Sequence, residues 1–216
     1  MDMLINDYGR ILQELRINAF NLDEDKYSGV FLPMPFDEYW SSNIKIMLVG
    51  RETAGWNTDN HKNTIKRVAD FSEHNKIDDL VHEAIGRYRK HLSVNKNGNI
   101  TTKTKSRFKQ YFFRLSRELK LAPKSIVYAN IFAWDYNKKT PRTRPKNEVN
   151  EITSISKQLL AAQIGYLKPD IIIFAAGFVG IDSIIKQLFN EKFGGYPRIQ
   201  LRSATLANIK RPTPLL

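Results

Sequence analysis

The chain reads as an α/β protein, a three-layer α/β/α sandwich around a short central parallel sheet of about four strands. Two observations predict this. Three runs, Lys45-Ile-Met-Leu-Val49, Ser125-Ile-Val-Tyr-Ala-Asn130 and Asp170-Ile-Ile-Ile-Phe-Ala-Ala176, are apolar at consecutive positions and too short for helices, as suits strands buried on both faces. Between them lie segments with apolar residues at helical spacing, and strands that alternate with helices form a parallel sheet covered on both sides.

Taken in order, Leu4, Tyr8, Ile11, Leu12 and Leu15 recur at helical spacing and predict an amphipathic first helix. A Pro-rich acidic loop, Leu32-Pro-Met-Pro-Phe-Asp37, leads to the first strand, which ends at Gly50. Residues 60–120 read as mostly helical, broken by the turn-rich Asn95-Lys-Asn-Gly-Asn99. The second strand ends at Asn130, and two prolines, Pro141 and Pro145, make the following basic stretch a loop. Glu148 to Leu167 regains helical periodicity, and Lys168-Pro169 stops it before the third strand. Gly177 to Gly180 turns into a helix over 181–189, and Arg198-Ile-Gln-Leu-Arg202 is the expected last strand.

A length of 216 residues suits a single domain, here 1–216 with an N-terminal helical arm over about 1–40. The absence of cysteine excludes a disulfide scaffold, a thiolate metal site, a cysteine-ligated cluster and a cysteine nucleophile. The four histidines form no compact ligand motif, so no metal and no cofactor is expected. No apolar run approaches the ~18 residues of a membrane span, and the first ten residues lack a signal-peptide pattern, so a cytoplasmic monomer without membrane contact is expected.

Charge is distributed unevenly. The chain carries a formal +12, yet residues 1–40 hold 8 acidic groups against 3 basic ones. Residues 87–146 hold 17 basic groups against two acidic ones, Glu118 and Asp135. Among those cations lie Phe108, Tyr111, Phe112, Phe113, Trp134 and Tyr136. Cations neutralise phosphates and flat rings stack on unpaired bases, so a polyanion, and nucleic acid above all, is the expected partner. The rings have a second reading, because Phe108, Tyr111, Phe112 and Leu115 fit one buried helical face.

In open parallel sheets, ligands bind beyond the carboxyl ends of the strands. That places the candidates at Gly50 to Trp56, Asn130 to Tyr136, and Gly177 to 179. The first loop, Gly50-Arg-Glu-Thr-Ala-Gly-Trp56, lacks the Gly-Lys-Ser/Thr of a phosphate loop and instead sets one carboxylate, Glu52, just past a strand end. Asn130 carries an amide that donates and accepts, which suits the edge of a pyrimidine. Taken alone, Glu52 reads equally as a solvated carboxylate, Asn130 as a turn former and Trp56 as packing.

These elements resemble the uracil-DNA glycosylase superfamily. Gly50-Arg51-Glu52-Thr53-Ala54 lies where that family carries its catalytic motif after the first core strand, and Tyr128-Ala129-Asn130 is similar to the strand that ends in its base-reading asparagine. The order that follows, Pro141-Arg-Thr-Arg-Pro145, Asn147-Glu148, a helix, Lys168-Pro169-Asp170 and a strand ending before Gly177, is similar to the branch that binds an iron–sulfur cluster, without its cysteines. The terminal Arg211-Pro212-Thr213-Pro214-Leu215 resembles the family's last motif, with arginine in place of histidine.

The resemblance implies hydrolysis of the bond between a base and its deoxyribose. Glu52 and Arg211 would be catalytic, Glu52 holding a water and stabilising an oxocarbenium-like sugar, and Arg211 donating to the departing base. Gly50, Arg51 and Asn130 would bind the base, and Trp56 or Phe71 would stack on it. Lys138, Lys139, Arg142, Arg144 and Thr213 would contact DNA, single-stranded or uracil-containing, with Leu215 filling the vacated stack. Two other readings stand beside this one. A catalytically inactive nucleic-acid-binding protein on the same fold is suggested by the missing histidine, and an α/β enzyme of phosphorylated metabolites by the Gly177–Gly180 turn before a helix.

Overall fold

The computed structural model describes residues 2–56, 64–92, 100–177 and 180–195. Its sheet has three parallel strands, β1 (Ile46–Gly50), β2 (Ile126–Asn130) and β3 (Ile171–Phe174), in the order β2-β1-β3. In register, Gly50 faces Asn130, and Val49 faces both Ala129 and Phe174. The expected fourth strand at 198–202 lies outside the described residues, as does the turn-rich stretch 95–99.

Helices flank the sheet, an arrangement compatible with a three-layer α/β/α fold. They are α1 (Asp2–Gln13), the short α2 (Asp37–Trp40), α3 (Ile65–Glu73), α4 (Ile77–Lys90), α5 (Arg107–Glu118), α6 (Lys146–Leu167) and α7 (Asp182–Phe193). Because side chains alternate along a strand, the sheet divides the core in two. Met47, Val49, Val127 and Ala129 pack with α1, α3, α6, α7 and the start of α4. Ile46, Leu48, Ile126 and Tyr128 pack on the other face with Phe112 and Phe113 of α5, Tyr88 at the end of α4, Phe31 and Trp56. No helix among the described residues is long and apolar enough to cross a membrane.

The N-terminal segment is integrated into the first of these layers. Leu4 and Tyr8 are fully buried, α1 packs on α6 and α4, and the Tyr8 hydroxyl donates to the Pro33 carbonyl at 2.6 Å. α6 ends as its sequence demands: Lys168 takes the left-handed conformation (φ 45°), donates its N–H to the Ile164 carbonyl, and Pro169 follows. The run that reads most plainly as a core strand differs from expectation. β3 is only four residues long, lies at one edge of the described sheet and is half-buried along its whole length.

Candidate functional site

β1 and β2 stay bonded past their ends. The Ile131 N–H donates to the Gly50 carbonyl at 2.9 Å, and the Phe132 N–H to the Arg51 carbonyl at 2.8 Å. On the other side, the Ala175 N–H donates to the Val49 carbonyl at 2.7 Å. The first residues of all three strand-end segments are therefore continuous with the sheet.

Gly50 is closely crowded at this end of the sheet. A Cβ there would lie 2.6 Å from the Asn130 Oδ1 and 2.9 Å from Cε2 of Phe108, so only glycine lets the two approach. Asn130 is half-exposed, and among the described residues its amide has no hydrogen-bond partner. A carboxamide thus lies across a bare strand end, beside an aromatic ring delivered by the first turn of α5. That turn is capped by Ser106, whose hydroxyl accepts from the Lys109 N–H.

Glu52 follows on the same loop, its side chain only 10% exposed, with both oxygens accepting from Arg51 Nε at 2.9 and 2.8 Å. That hydrogen bond raises the pKa of the Arg51 guanidinium, whose side chain is 46% exposed. Glu52 is thus shielded and ion-paired within the protein, while its partner reaches water.

The shape of the loop is set by a residue that the sequence reading passed over. Asp135 is fully buried, and one of its carboxylate oxygens accepts from Thr53 Oγ1 (2.6 Å), the Gly55 N–H (2.8 Å) and the Trp56 N–H (3.3 Å). The other oxygen accepts from the Lys138 N–H at 2.9 Å. Its backbone is clamped too, exchanging bonds with the hydroxyl and N–H of the buried Ser28. The available signal was its position, since Asp135 is one of only two acids within the sixty basic-rich residues 87–146.

Of the expected DNA contacts, Lys138 and Lys139 are exposed on a tight two-residue hairpin closed by paired bonds between Tyr136 and Lys139. Asn137 (φ 48°) and Lys138 (φ 63°) are both left-handed there, as a type I′ turn requires. The aliphatic part of Lys138 lies against Gly55, which brings its ammonium arm to the first loop. Arg142 is exposed, and its guanidinium lies directly over Gly180, at the turn following β3.

Arg144 departs from expectation. It forks onto Glu148 at 3.0 and 3.1 Å, covers the Tyr136 ring at 4.1 Å, and is only 16% exposed. Tyr27 adds a 2.6 Å bond to the same carboxylate. Arg144 therefore ties the N-terminal segment to α6, and little of it remains for a phosphate.

The two rings expected to stack on a base are also placed elsewhere. Trp56 is 6% exposed, with Phe31 at 4.8 Å and His91 at 4.5 Å between ring centroids, so its faces are covered by protein. Phe71 packs on the opposite side of the sheet from Phe108, under the Arg67 guanidinium at 4.5 Å. The aromatic neighbour of Gly50 and Asn130 is Phe108, which the sequence offers both as a stacking ring and, with Tyr111 and Phe112, as core, and which the resemblance passes over for Trp56 or Phe71.

Arg211, Thr213 and Leu215 lie outside the described residues. Among the described residues no group of three or more His, Asp or Glu side chains is placed to hold a metal ion. Fold and site together define an α/β protein whose parallel sheet carries, at its carboxyl end, an asparagine, an aromatic ring and an ion pair drawn from three neighbouring segments. Comparison with protein-family models, with curated proteins and with solved structures finds no match to this chain.

Proposed function

We propose that this chain is a DNA base-excision glycosylase-like protein that hydrolyses the N-glycosidic bond of uracil or a related damaged base. The observation that carries the reading is the Asn130 amide, without a partner among the described residues, held over Gly50 beside the Phe108 ring and next to the Glu52 loop. The amide can both donate to and accept from the edge of a uracil, and a partner that fixed its orientation would set the order that rejects cytosine, while the ring supplies a stacking surface. The exposed Lys138 and Lys139, and the +12 chain as a whole, favour a phosphate backbone as the handle.

In the reaction, a water oxygen bonds to the sugar C1′ as the C1′–N bond breaks, and its electron pair leaves on the base. The water's proton passes to Glu52, whose charge also stabilises the cationic sugar. For this Glu52 must part from Arg51, and a DNA phosphate competes for that half-exposed guanidinium. Arg211 would donate to the base as it departs. Action as a cytoplasmic monomer on single-stranded or uracil-containing DNA belongs to the same reading.

The Arg51–Glu52 pair also favours a second reading, a nucleic-acid-binding relative without turnover, because a carboxylate whose two oxygens both accept from one guanidinium nitrogen is a quenched base. The test is to incubate the protein with single- and double-stranded oligonucleotides containing uracil, hypoxanthine or a mismatch, then cleave abasic sites with alkali. Strand breaks that vanish in Glu52→Gln while binding persists are the expected result. Salt-sensitive binding without breaks on any substrate selects the second reading, and neither binding nor breaks refutes both.

A further inference from the structure

α5 carries its charge against its own dipole. The amino end of a helix is partially positive, so acids stabilise it and cations do not. α4, α6 and α7 follow this rule, opening on Asp78 and Asp79, on Glu148 and on Asp182. The first turn of α5 instead holds Arg107 and Lys109 and no acid. The exposed Lys103 and Lys105 lead into it, so residues 100–120 carry seven cations against one acid, Glu118. This order weakens the helix slightly, and folding alone gives no reason for it.

Nor are these cations engaged by the protein. Elsewhere Arg10 of α1 lies between Asp7 and Glu14, Arg67 of α3 reaches Glu83 of α4, and Lys157 of α6 reaches Glu191 of α7. On α5 only Arg114 meets an acid, Glu118 at 3.9 Å, and among the described residues Arg107 and Arg117 have no acidic partner. Arg107, Gln110, Arg114 and Arg117 recur at three- and four-residue spacing and are all exposed, opposite the buried Phe112, Phe113 and Ser116. They form one stripe about 15 Å long.

The stripe begins beside Asn130. Phe108, next in the chain to Arg107, borders Gly50 and with it Asn130. α4 ends at the same place, since Phe108 and Phe112 of α5 and Tyr88 of α4 lie 5.9, 5.6 and 4.9 Å from the Tyr128 ring. The exposed Arg87 of that last turn lies 5.9 Å from the Trp56 ring of the first loop. We infer that the exposed face of α5, with Lys103 and Lys105 before it, is the track of a single-stranded nucleic-acid backbone leading to Asn130. A narrow stripe along one helix suits one strand, and its length matches about four phosphates at the ~3.4 Å rise of a stacked strand. Phe108 offers a ring to an unpaired base where the track ends. Phosphates there also offset the charge that Arg107 adds to the positive end of α5. The track rests on the nucleic-acid part of the reading above and needs no turnover.

The test titrates the whole protein against a labelled, uracil-free octathymidylate by fluorescence anisotropy over a range of salt concentrations. Arg107→Gln with Arg117→Gln is compared with Lys186→Gln with Lys192→Gln, which removes the same charge from the exposed side of α7. The α5 variant is expected to lower the salt slope by about 1.4, two contacts at about 0.7 each. Between about 50 and 200 mM salt, wild type then loses about sevenfold more affinity than the variant. The α7 variant keeps the wild-type slope. The α5 variant keeps the wild-type melting temperature, because Arg107 leaves a positive helix end as Arg117 leaves a negative one. An unchanged slope in the α5 variant, an equal loss in the α7 variant, or no salt-sensitive binding by wild type overturns the proposal. A mixed-sequence duplex bound more tightly than the single strand, with the same loss in the α5 variant, assigns the stripe to double-stranded DNA and overturns the single-strand track. Base release from uracil oligonucleotides is scored separately. Release with an unchanged slope removes the track alone, and a lowered slope without release removes the glycosylase reading alone.

Discussion

Replacing Asp135 by alanine removes the acceptor of four hydrogen bonds and leaves Thr53 Oγ1 and the N–H groups of Gly55, Trp56 and Lys138 facing an apolar side chain. Hydrogen bonds to a charged group contribute about 1.5–3 kcal/mol each, and a donor stranded away from water costs about 1–3 kcal/mol. The four do not add, because Thr53 can rotate its hydroxyl and Lys138 sits on an exposed turn where water replaces the carboxylate. A net loss of about 3–4 kcal/mol remains, a large share of the stability of an ordinary domain. Asp135→Asn keeps one oxygen toward the three donors of the first loop and turns its NH2 toward Lys138, losing one bond and facing donor to donor, for about 1–2 kcal/mol. Urea denaturation followed by far-ultraviolet circular dichroism measures both variants against wild type. A loss below about 1 kcal/mol in Asp135→Ala, or equal losses in the two variants, refutes the hydrogen-bond account of how the loop is held.

Gly50→Ala puts a methyl 2.6 Å from Asn130 Oδ1 and 2.9 Å from Phe108, and is expected to cost about 1–3 kcal/mol and to weaken oligonucleotide binding, read by denaturation and fluorescence anisotropy. Phe108→Ala is expected to weaken binding of single strands by about 1–3 kcal/mol without changing the salt slope, because it removes a stacking face and no charge. Burial opposes ionisation of Glu148, but the hydrogen bonds of Arg144 and Tyr27 outweigh it and hold the carboxyl below its ordinary value. Its contribution is present above the unfolded carboxyl value of about 4.3 and is lost as pH falls through the folded one, so wild type and Glu148→Gln should converge in stability on acidification. His91 acts through the opposite charge. Its unfolded imidazole takes a proton near pH ~6.5 while the folded one waits until about 3, so stability falls as pH drops through that window, and His91→Phe should lessen the fall.

The strands and the longest helix were legible because their signals are local. Consecutive apolar residues mark β1 and β2, and the period of Ile152, Ile155 and Leu159 with the Lys168-Pro169 stop marks α6. β3 was legible as a strand but not as an edge, since Ile-Ile-Ile-Phe says nothing about which neighbours cover it. In the site, Gly50 and Asn130 stand out because they terminate strands. Phe108 hides among residues of the same helical face, and Asp135 looks like any surface acid until its four donors converge on it. Arg142 and Arg144 are two residues apart in one basic loop, yet one covers a glycine turn and the other is sealed onto Glu148. That difference depends on α6 and the N-terminal segment, which meet at Tyr27 and Glu148, 121 residues apart in the chain, and no local pattern encodes it.

The bonds from Ile131 to Gly50 and from Phe132 to Arg51 bear on how a ligand meets this protein. A niche built on segments that continue the sheet is assembled before anything arrives, so little conformational entropy is spent on ordering it. The amides of Ile131 and Phe132 should then exchange with solvent deuterium as slowly as those of β2 itself. Selectivity in such a niche comes from rejecting shapes that do not fit a standing frame, rather than from a closing movement that only the right shape can trigger.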